Sequence, residues 1–272
     1  MNIKAAVIGT GIGIKHIEAI DGYKSSKVII IYEKNKKKVS NLKKKFPHIK
    51  ITSSEKDIFN DKNINFVSIA SYDNFHFSQI IKCINKNFNI MVEKPLCLSL
   101  RELISVKKAL KRSKTKISSN MVLRANKMFI NIKHKIKNEK IFYVESDYMW
   151  GRIEKLFGWR SKVKNFSFTL GAAIHMIDLV CWLLNKRPSS VITLGNKIVT
   201  KNTIFKKKSF LIYLLKFSQN LIVKVTANMV GTHEHFHNLK IYSKNKTLFH
   251  TRDGSYILKK NKKLFTNNLS YA

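Results

Sequence analysis

A glycine-rich turn near the start of the chain, Gly9-Thr10-Gly11-Ile12-Gly13, has the composition of a phosphate-binding loop. It follows the apolar run Ile3–Ile8 and precedes a stretch with helical spacing, so it joins a predicted buried strand to a predicted helix. Glycines let the backbone approach a pyrophosphate, which the unpaired N–H groups of a helix N-terminus attract. Glu33 follows the next apolar run, where a carboxylate can accept hydrogen bonds from a ribose diol. This arrangement predicts a dinucleotide site.

The spacing of this turn departs from the usual G-x-G-x-x-G pattern. Gly13 comes one residue early, and Ile14 stands where the third glycine is expected. One interpretation is a phosphate turn of slightly different shape. The other is an α/β domain whose glycines only tighten a turn.

Lys94 is the strongest single candidate for catalysis. It follows the predicted buried strand 88–92 and lies between Glu93 and Pro95. Because proline favours an extended conformation in the residue before it, the ammonium group is expected to project from the strand end. A lysine there can hydrogen-bond a substrate hydroxyl or accept its proton, once desolvation or positive charge has lowered its ordinary pKa of about 10.4. A surface lysine is the alternative.

His175 and Asp178 lie three residues apart in an apolar stretch with helical spacing, so they share one helix face. Polar side chains on such a face must find partners or line a cavity. Imidazole titrates near neutral pH and suits a base that removes a hydroxyl proton as hydride leaves. The alternative is a core histidine hydrogen-bonded to the aspartate.

The alternating tract His233-Glu234-His235-Phe236-His237 would place its histidines on one face of a strand. A metal site there would need ligands from elsewhere, and no other cluster has ligand spacing, so no metal is predicted. Contact with substrate, including an anionic one, or plain sheet surface is favoured instead.

The order of patterns predicts two domains. Strand and helix patterns alternate up to about residue 120, which predicts a doubly wound parallel sheet that binds ligands at its carboxyl strand ends. Ser71–His76 and Glu93–Pro95 lie at such ends. Further on, strands without intervening helices predict an α+β domain with a large, mainly antiparallel sheet. We therefore predict a Rossmann nucleotide-binding domain at 1–120 and an α+β substrate and oligomerisation domain at 121–272. Its predicted strands are 141–150, 190–194, 209–217, 221–227, 238–243 and 247–250.

The formal charge of +36 comes from 45 Lys and 7 Arg spread through the chain. Specific nucleic-acid readers favour Arg for its bidentate fork, so a solvated lysine-rich surface is expected, without a specific nucleic-acid partner. No apolar run is long enough for a transmembrane helix, and no signal peptide is evident. Cys83, Cys97 and Cys181 are scattered, as expected of reduced thiols. These features favour a cytoplasmic protein without a membrane partner.

Taken in order, the motifs resemble the Gfo/Idh/MocA family, the relatives of glucose–fructose oxidoreductase and inositol dehydrogenase. The matching features cover the chain from residue 3 to about residue 240. They are Gly9-x-Gly11, Ser71-Tyr-Asp-Asn-Phe-His76, Glu93-Lys94-Pro95, Trp159-Arg160 and Gly171-x-x-x-His175-x-x-Asp178.

The resemblance implies NAD or NADP as hydride carrier and a sugar, cyclitol or nucleotide-sugar as substrate. It also implies an open sheet that forms homodimers or homotetramers. Lys94, His175 and Asp178 match the catalytic positions, and Arg124 joins Lys94 and His175 in substrate binding. The implied cofactor-binding residues are the run Gly9–Gly13 (with Thr10 and Ile12), Glu33, Ser71, His76, Glu93, Lys94, Trp159 and Arg160.

Two further departures from the family pattern bear on these expectations. Many relatives carry a catalytic aspartate four residues before the histidine, where this chain has Gly171. The chain also ends at Ala272, short of the usual length, which indicates either a compact variant or a truncated chain.

The leading hypothesis is an NAD(P)-dependent dehydrogenase acting on a secondary alcohol. NAD is favoured because the Glu33 carboxylate would repel a 2′-phosphate, although Lys34 leaves NADP open. A non-catalytic NAD(P)-binding sensor is the second hypothesis, and a nucleic-acid binder the third.

Overall fold

The computed structural model describes residues 2–163, 166–259 and 262–265. The chain divides into two compact units, Met1–Asn120 and Met121–Ala272. Within the described residues, no helix is both long and apolar enough to cross a membrane.

Strands and helices alternate along the first unit. Its strands are β1 (Ile3–Ile8), β2 (Ser26–Tyr32), β3 (Lys50–Thr52), β4 (Phe66–Ile69), β5 (Asn89–Val92) and β6 (Ile117–Ser119). Its helices are α1 (Gly13–Asp21), α2 (Lys36–Lys45), α3 (Lys56–Asn60), α4 (Asp73–Asn85) and α5 (Leu100–Leu110). The strands pair in parallel in the order β3-β2-β1-β4-β5-β6, which confirms the predicted doubly wound sheet.

Both faces of this sheet are buried, as β1 shows. Ala5 and Val7 belong to the apolar cluster that includes Ile17 of α1. The alternate residues Ala6 and Ile8 belong to a second cluster, with Ile80 of α4. Because successive side chains of a strand point to opposite faces, an unbroken apolar run fills both cores. The strand order reverses between β1 and β4, and the carboxyl ends beside such a reversal are where ligands bind in this architecture.

The second unit has helices α6 (Lys127–Ile136), α7 (Trp159–Lys162) and α8 (Ile174–Leu184), and a π-helical turn, Thr169–Ala173, precedes α8. Its strands are β7 (Ile141–Met149), β8 (Ser190–Asn196), β9 (Phe210–Lys216), β10 (Ile222–Asn228), β11 (Phe236–Ser243), β12 (Thr247–Thr251), β13 (Gly254–Lys259) and β14 (Lys262–Phe265). They form one sheet in the order β14-β13-β12-β11-β7-β10-β9-β8. Only β7 and β10 pair in parallel among these described strands, so the prediction of a mainly antiparallel sheet is confirmed.

One face of this sheet carries the core of the unit. Val144 and Tyr148 of β7 are buried there, in the same apolar cluster as Phe129 of α6 and Met176 of α8. The opposite face is more open. Its β8 residues Ile192 and Leu194 are 63% and 61% exposed.

Two predictions for this unit were wrong or incomplete. The strands β13 and β14 were not identified from the sequence. The histidine tract does not lie on one strand, because β11 begins at Phe236 and only His237 belongs to it. The physical reason is that Phe236 pairs with Met149, the last residue of β7, so the chain before Phe236 has no further strand residue of β7 to pair with.

Candidate functional site

The glycine turn after β1 is shaped by close approaches at Gly9 and Gly13. Gly9 has a φ of +88°, and a Cβ there would lie 2.7 Å from the carbonyl oxygen of Ala70. A Cβ at Gly13 would meet the Ala70 and Val7 side chains at 3.2 Å, whereas a Cβ at Gly11 would have no described atom within 4 Å apart from its chain neighbours. Gly13 therefore gives the close helix–strand packing that the third glycine gives in the usual motif. The turn at Gly11 is left open for a ligand to approach.

The Glu33 carboxylate lies at the edge of this turn and is buried. One of its oxygens accepts a hydrogen bond from the Thr10 hydroxyl, and the other accepts one from the Asn35 backbone N–H at 2.9 Å. The side chain is therefore held in one position. Glu33 lines a pocket together with Gly9–Gly11, Lys34 and Lys38. An open phosphate turn beside a fixed carboxylate is the arrangement that an adenosine diphosphate moiety requires.

The rest of this pocket contains the predicted residue Ser71 and four residues that were not assigned to the site, Glu55, Tyr72, Phe75 and Gln79. Tyr72 and Phe75 line its wall and are 50% and 39% exposed. Deeper in, the Ser71 hydroxyl donates to Gln79 at 2.7 Å, and Gln79 donates to the Glu55 carboxylate at 2.7 Å. The exposed aromatic residues in the β4–α4 turn were the available sequence signal. The Ser71–Gln79–Glu55 chain of hydrogen bonds had none, since its members come from separate elements.

His76 connects two of the predicted site turns through contacts with their backbone carbonyl groups. Its side chain is fully buried, with Nδ1 2.7 Å from the Pro95 carbonyl oxygen and Nε2 3.0 Å from that of Ser71. The Lys94–Pro95 peptide bond is cis. His76 therefore holds the Ser71 turn and the Lys94–Pro95 turn together. Its buried side chain is not part of the lining of the Glu33 pocket.

Glu93 is held by residues from two distant elements. Its Oε1 accepts a hydrogen bond from Asn120 at 2.6 Å and lies 3.0 Å from Nε2 of His16. His16 in turn lies 2.7 Å from the Ser68 hydroxyl. Burial opposes the charged form, but the hydrogen bonds from His16 and Asn120 and the positive charge of Lys94 hold the pKa of Glu93 below its ordinary value. Glu93 is thus a fixed carboxylate next to Lys94.

In the second unit, His175 stacks on the ring of Tyr148, with the ring centroids 5.8 Å apart and the planes within 5° of parallel. Burial raises the pKa of Tyr148 to about 12, so its phenol stays neutral. The Tyr148 ring also contacts His235 at 5.3 Å and His237 at 5.0 Å between centroids. The structure therefore brings His175 to the histidine tract through Tyr148, which the sequence analysis did not identify.

The two histidines against Tyr148 are kept neutral. Burial, together with the nearby Arg152 charge, lowers the pKa of His235 to about 4. For His237, burial is again the largest cause, and the neighbouring histidines and Arg152 add to it, which gives a pKa of about 2. No group of three or more His, Cys, Asp or Glu side chains within the described ranges is arranged to hold a metal ion.

Asp178 pairs with Arg124. The Arg124 Nε donates to Oδ2 at 2.7 Å and Nη2 donates to Oδ1 at 2.5 Å, a bidentate ion pair that raises the pKa of the guanidinium. Both residues were predicted to belong to the site, with Arg124 as a substrate ligand. In the structure Arg124 fixes the Asp178 carboxylate one turn after His175.

Gly171 lies in the π-helical turn before α8, and the ring of Phe166 fills the space beside it. A Cβ at this position would be 2.6 Å from Cζ and 2.9 Å from Cε2 of Phe166. An aspartate, which the resemblance would place here, would therefore require the Phe166 ring to move. The predicted pair Trp159-Arg160 forms the start of α7, where the guanidinium of Arg160 lies 4.5 Å from the Trp159 ring centroid.

Two sequence models of one family match the chain. Residues 3–121 match the oxidoreductase family's NAD-binding Rossmann fold, and residues 133–266 match its C-terminal alpha/beta domain. The chain belongs to the Gfo/Idh/MocA oxidoreductase family. The resemblance inferred from the motifs is confirmed, and a nicotinamide dinucleotide fits the first unit as its cofactor.

Individual members of the Gfo/Idh/MocA family match this chain at low sequence identity. The scyllo-inositol 2-dehydrogenase (NADP(+)) IolW of Bacillus subtilis is 24% identical over 185 residues, which is 65% of this chain and 50% of IolW. The uncharacterized oxidoreductase YdgJ of Escherichia coli is 29% identical over 116 residues, which is 41% of this chain and 33% of YdgJ. The matched stretches thus span half or less of these relatives.

Solved structures share the fold at low sequence identity. Myo-inositol 2-dehydrogenase from Lactobacillus plantarum has a TM-score of 0.84 at 18% identity, covering 95% of this chain and 82% of the other. Scyllo-inositol dehydrogenase from Lactobacillus casei, solved with NAD(H) and scyllo-inositol, has a TM-score of 0.82 at 16% identity and covers 97% and 82%. A levoglucosan dehydrogenase in complex with NADH and levoglucosan has a TM-score of 0.84 at 16% identity and covers 98% and 80%.

Proposed function

We propose that this protein is an NAD(P)-dependent oxidoreductase that transfers hydride between a nicotinamide cofactor and a secondary alcohol of a sugar, cyclitol or nucleotide-sugar. The observation that carries the proposal is the first unit's pocket, where the open turn at Gly11 meets the fixed carboxylate of Glu33. The Gfo/Idh/MocA membership and the dehydrogenases among its relatives support it.

The cofactor is held, in this proposal, by the turn Gly9–Gly13 at its pyrophosphate and by Glu33 at its adenosine ribose. Because Glu33 is buried and fixed by hydrogen bonds, it cannot swing away from a 2′-phosphate, which favours NAD over NADP. Ser71, Glu93 and Lys94, with Trp159 and Arg160 from the second unit, complete the proposed set. When bound, the cofactor supplies the hydride acceptor.

Lys94, His175 and Asp178 are the proposed catalytic residues. During oxidation the alcohol carbon loses a hydride to the oxidised cofactor, and the hydroxyl proton passes to His175 or Lys94, which leaves a carbonyl. Lys94 and His175 also bind the substrate. Asp178 lies one helical turn after His175, and its carboxylate is held in place by Arg124.

The test is turnover, followed by the absorbance of the reduced cofactor, with NAD, NADP and a panel of sugars, cyclitols and nucleotide-sugars. In Lys94→Ala we expect kcat to fall by about 10²–10⁴-fold, because a group that takes part in proton transfer is lost. NADH should still bind, because the Gly9–Gly13 turn and Glu33 remain in place. Lys107→Ala, on the solvent side of α5, is the matched control and should keep full activity. Full turnover by Lys94→Ala would refute the assignment.

A non-catalytic sensor is the second candidate, and one observation favours it. Phe166 occupies the space beside Gly171, so the aspartate expected in many relatives is missing and could not be restored without moving the ring. A sensor would bind NADH and oxidise no member of the panel.

The open face of the second sheet supports a homodimer or homotetramer. Ile192 and Leu194 of β8 and Leu214 of β9 are exposed on it side by side. Burying such a patch against a second copy is favourable. We expect light scattering to show at least a dimer, and the double variant Ile192→Lys/Leu194→Lys to shift it towards the monomer.

We also place the protein in the cytoplasm, since Cys83, Cys97 and Cys181 are free thiols.

A further inference from the structure

Arg152 is placed by a backbone crossing that only glycine permits. Gly151, just after β7, has a φ of +57°, and a Cβ there would lie 1.6 Å from the carbonyl oxygen of His233. The end of β7 therefore runs directly against the segment that leads into β11. Arg152 follows at once, so its position beside the histidine tract is built into the fold.

Two arginines meet at this crossing. The guanidinium carbon of Arg152 lies 5.9 Å from the ring centroid of Trp150, and that of Arg160 lies 5.4 Å from the same ring. Arginine is scarce in this chain, with 7 Arg against 45 Lys. Two like charges on one buried tryptophan repel each other, so a lysine-rich composition alone does not account for the pair.

The crossing also contains a buried donor. The Nε–H of Arg152 is shielded from solvent and has no hydrogen-bond acceptor among the described residues. Among the described residues, no ion pair joins Arg152 to an acid, and the nearby Glu234 is instead paired with Arg252 at 2.8 Å. A buried donor without an acceptor costs free energy, which a bound acceptor would recover.

The positive charge of this cluster acts on the residues around His175. Arg152 contributes to the lowered pKa values of His235 and His237, and Arg152 and Arg160 both act on Tyr148. Tyr148 is the residue that stacks on His175. An anion held by Arg152 would therefore lie on the side of Tyr148 and His237, whose rings neighbour His175.

We propose that the substrate carries an anionic group, a carboxylate or a phosphate, which Arg152 binds with support from Arg160. A guanidinium offers two parallel N–H groups that match the oxygens of either group. This inference rests on the proposed function and narrows its substrate class, because neutral cyclitols such as inositol lack the anionic group that Arg152 would bind.

The experiment compares neutral sugars with their anionic counterparts on the full chain with NADH bound. Glucose and myo-inositol are the neutral probes, and glucuronate and glucose 6-phosphate are the carboxylate and phosphate probes. Binding is measured by calorimetry at about 0.15 M salt, which screens the lysine-rich surface. At least one anionic probe should bind about tenfold or more tightly than its neutral parent, and the better one identifies the group.

The variant Arg152→Met keeps the apolar stem and should abolish this preference without changing NADH affinity. Arg152→Lys keeps the charge but not the fork and should retain part of it, which gives a second test if Arg152→Met folds poorly. Arg187→Met removes an exposed arginine elsewhere and should change nothing. Equal binding of neutral and anionic probes, or a preference that survives in Arg152→Met, would overturn the inference. If the protein oxidised only neutral substrates, the inference of an anionic substrate would be overturned, but the proposed oxidoreductase activity would stand. Failure to bind NADH would instead contradict that activity.

Discussion

The contact between Gly171 and Phe166 predicts that Gly171→Ala has opposite effects on stability in the natural chain and in a Phe166→Leu variant. An alanine at position 171 would place its Cβ 2.6 Å and 2.9 Å from two atoms of the Phe166 ring. Carbon atoms prefer separations of about 3.5–4.0 Å, so the ring must move by about 1 Å within a packed core. Phe166 is 3% exposed and has little room to do so.

The magnitude follows from two opposing terms. Overpacking a core costs about 1–3 kcal/mol, whereas replacing glycine by alanine within a helix gains about 1 kcal/mol. Gly171→Ala should therefore destabilise the second unit by about 0–2 kcal/mol. In the Phe166→Leu background the ring atoms are gone and only the gain of about 1 kcal/mol remains. The coupling energy of the pair should thus be about 1–3 kcal/mol.

Unfolding of the second unit can be followed without interference from the first, because Trp150, Trp159 and Trp182 all lie after residue 120. For a unit of about 150 residues, 1 kcal/mol corresponds to about 2–4 °C in melting temperature. Gly171→Ala should lower the midpoint of tryptophan fluorescence in the natural background and raise it in Phe166→Leu. Additive effects of the two substitutions would refute the packing argument, and with it the reason why an aspartate is absent from position 171.

Three further predictions concern the pocket and the core. Gly9→Ala should lower both the melting temperature and the NADH affinity, because φ at this position is +88° and the Ala70 carbonyl is close. Gly11→Ala should weaken NADH binding alone, since its Cβ would meet no described part of the fold. Equal melting temperatures for the two variants would contradict this prediction. Glu33→Gln should raise NADPH affinity relative to NADH by about tenfold, measured by cofactor fluorescence, because it removes the charge that opposes a 2′-phosphate. Burial lowers the pKa of His250 to about 4 from its ordinary value of about 6.5, so the unfolded chain binds the proton first and stability falls as pH drops between these values. The contribution of His250 to this loss is on the order of 3 kcal/mol. His250→Leu should therefore reduce the fall of the denaturation midpoint across this range, to which His235 and His237 also contribute, whereas the exposed His134→Leu should not reduce it.

Local patterns were enough to predict the first unit. The unbroken apolar run of β1, the glycine turn and Glu33 lie within a short stretch, and each follows a rule about neighbouring residues. The parallel sheet and the mainly antiparallel second sheet followed from whether helices separate the strands. The roles of Lys94, His175 and the other predicted site residues remain predictions, because the sequence identifies candidates by type and spacing only.

Other features depend on residues far apart in the chain, and these only the tertiary structure decided. His16 meets Glu93 across 77 positions, and the Gln79 amide reaches Glu55 from a different helix. Gly151 packs against the carbonyl oxygen of His233, which brings Arg152 against the histidine tract. Such contacts arise when separate elements pack into a dense core, where the position of each side chain depends on all its neighbours. A one-dimensional pattern carries no record of that packing.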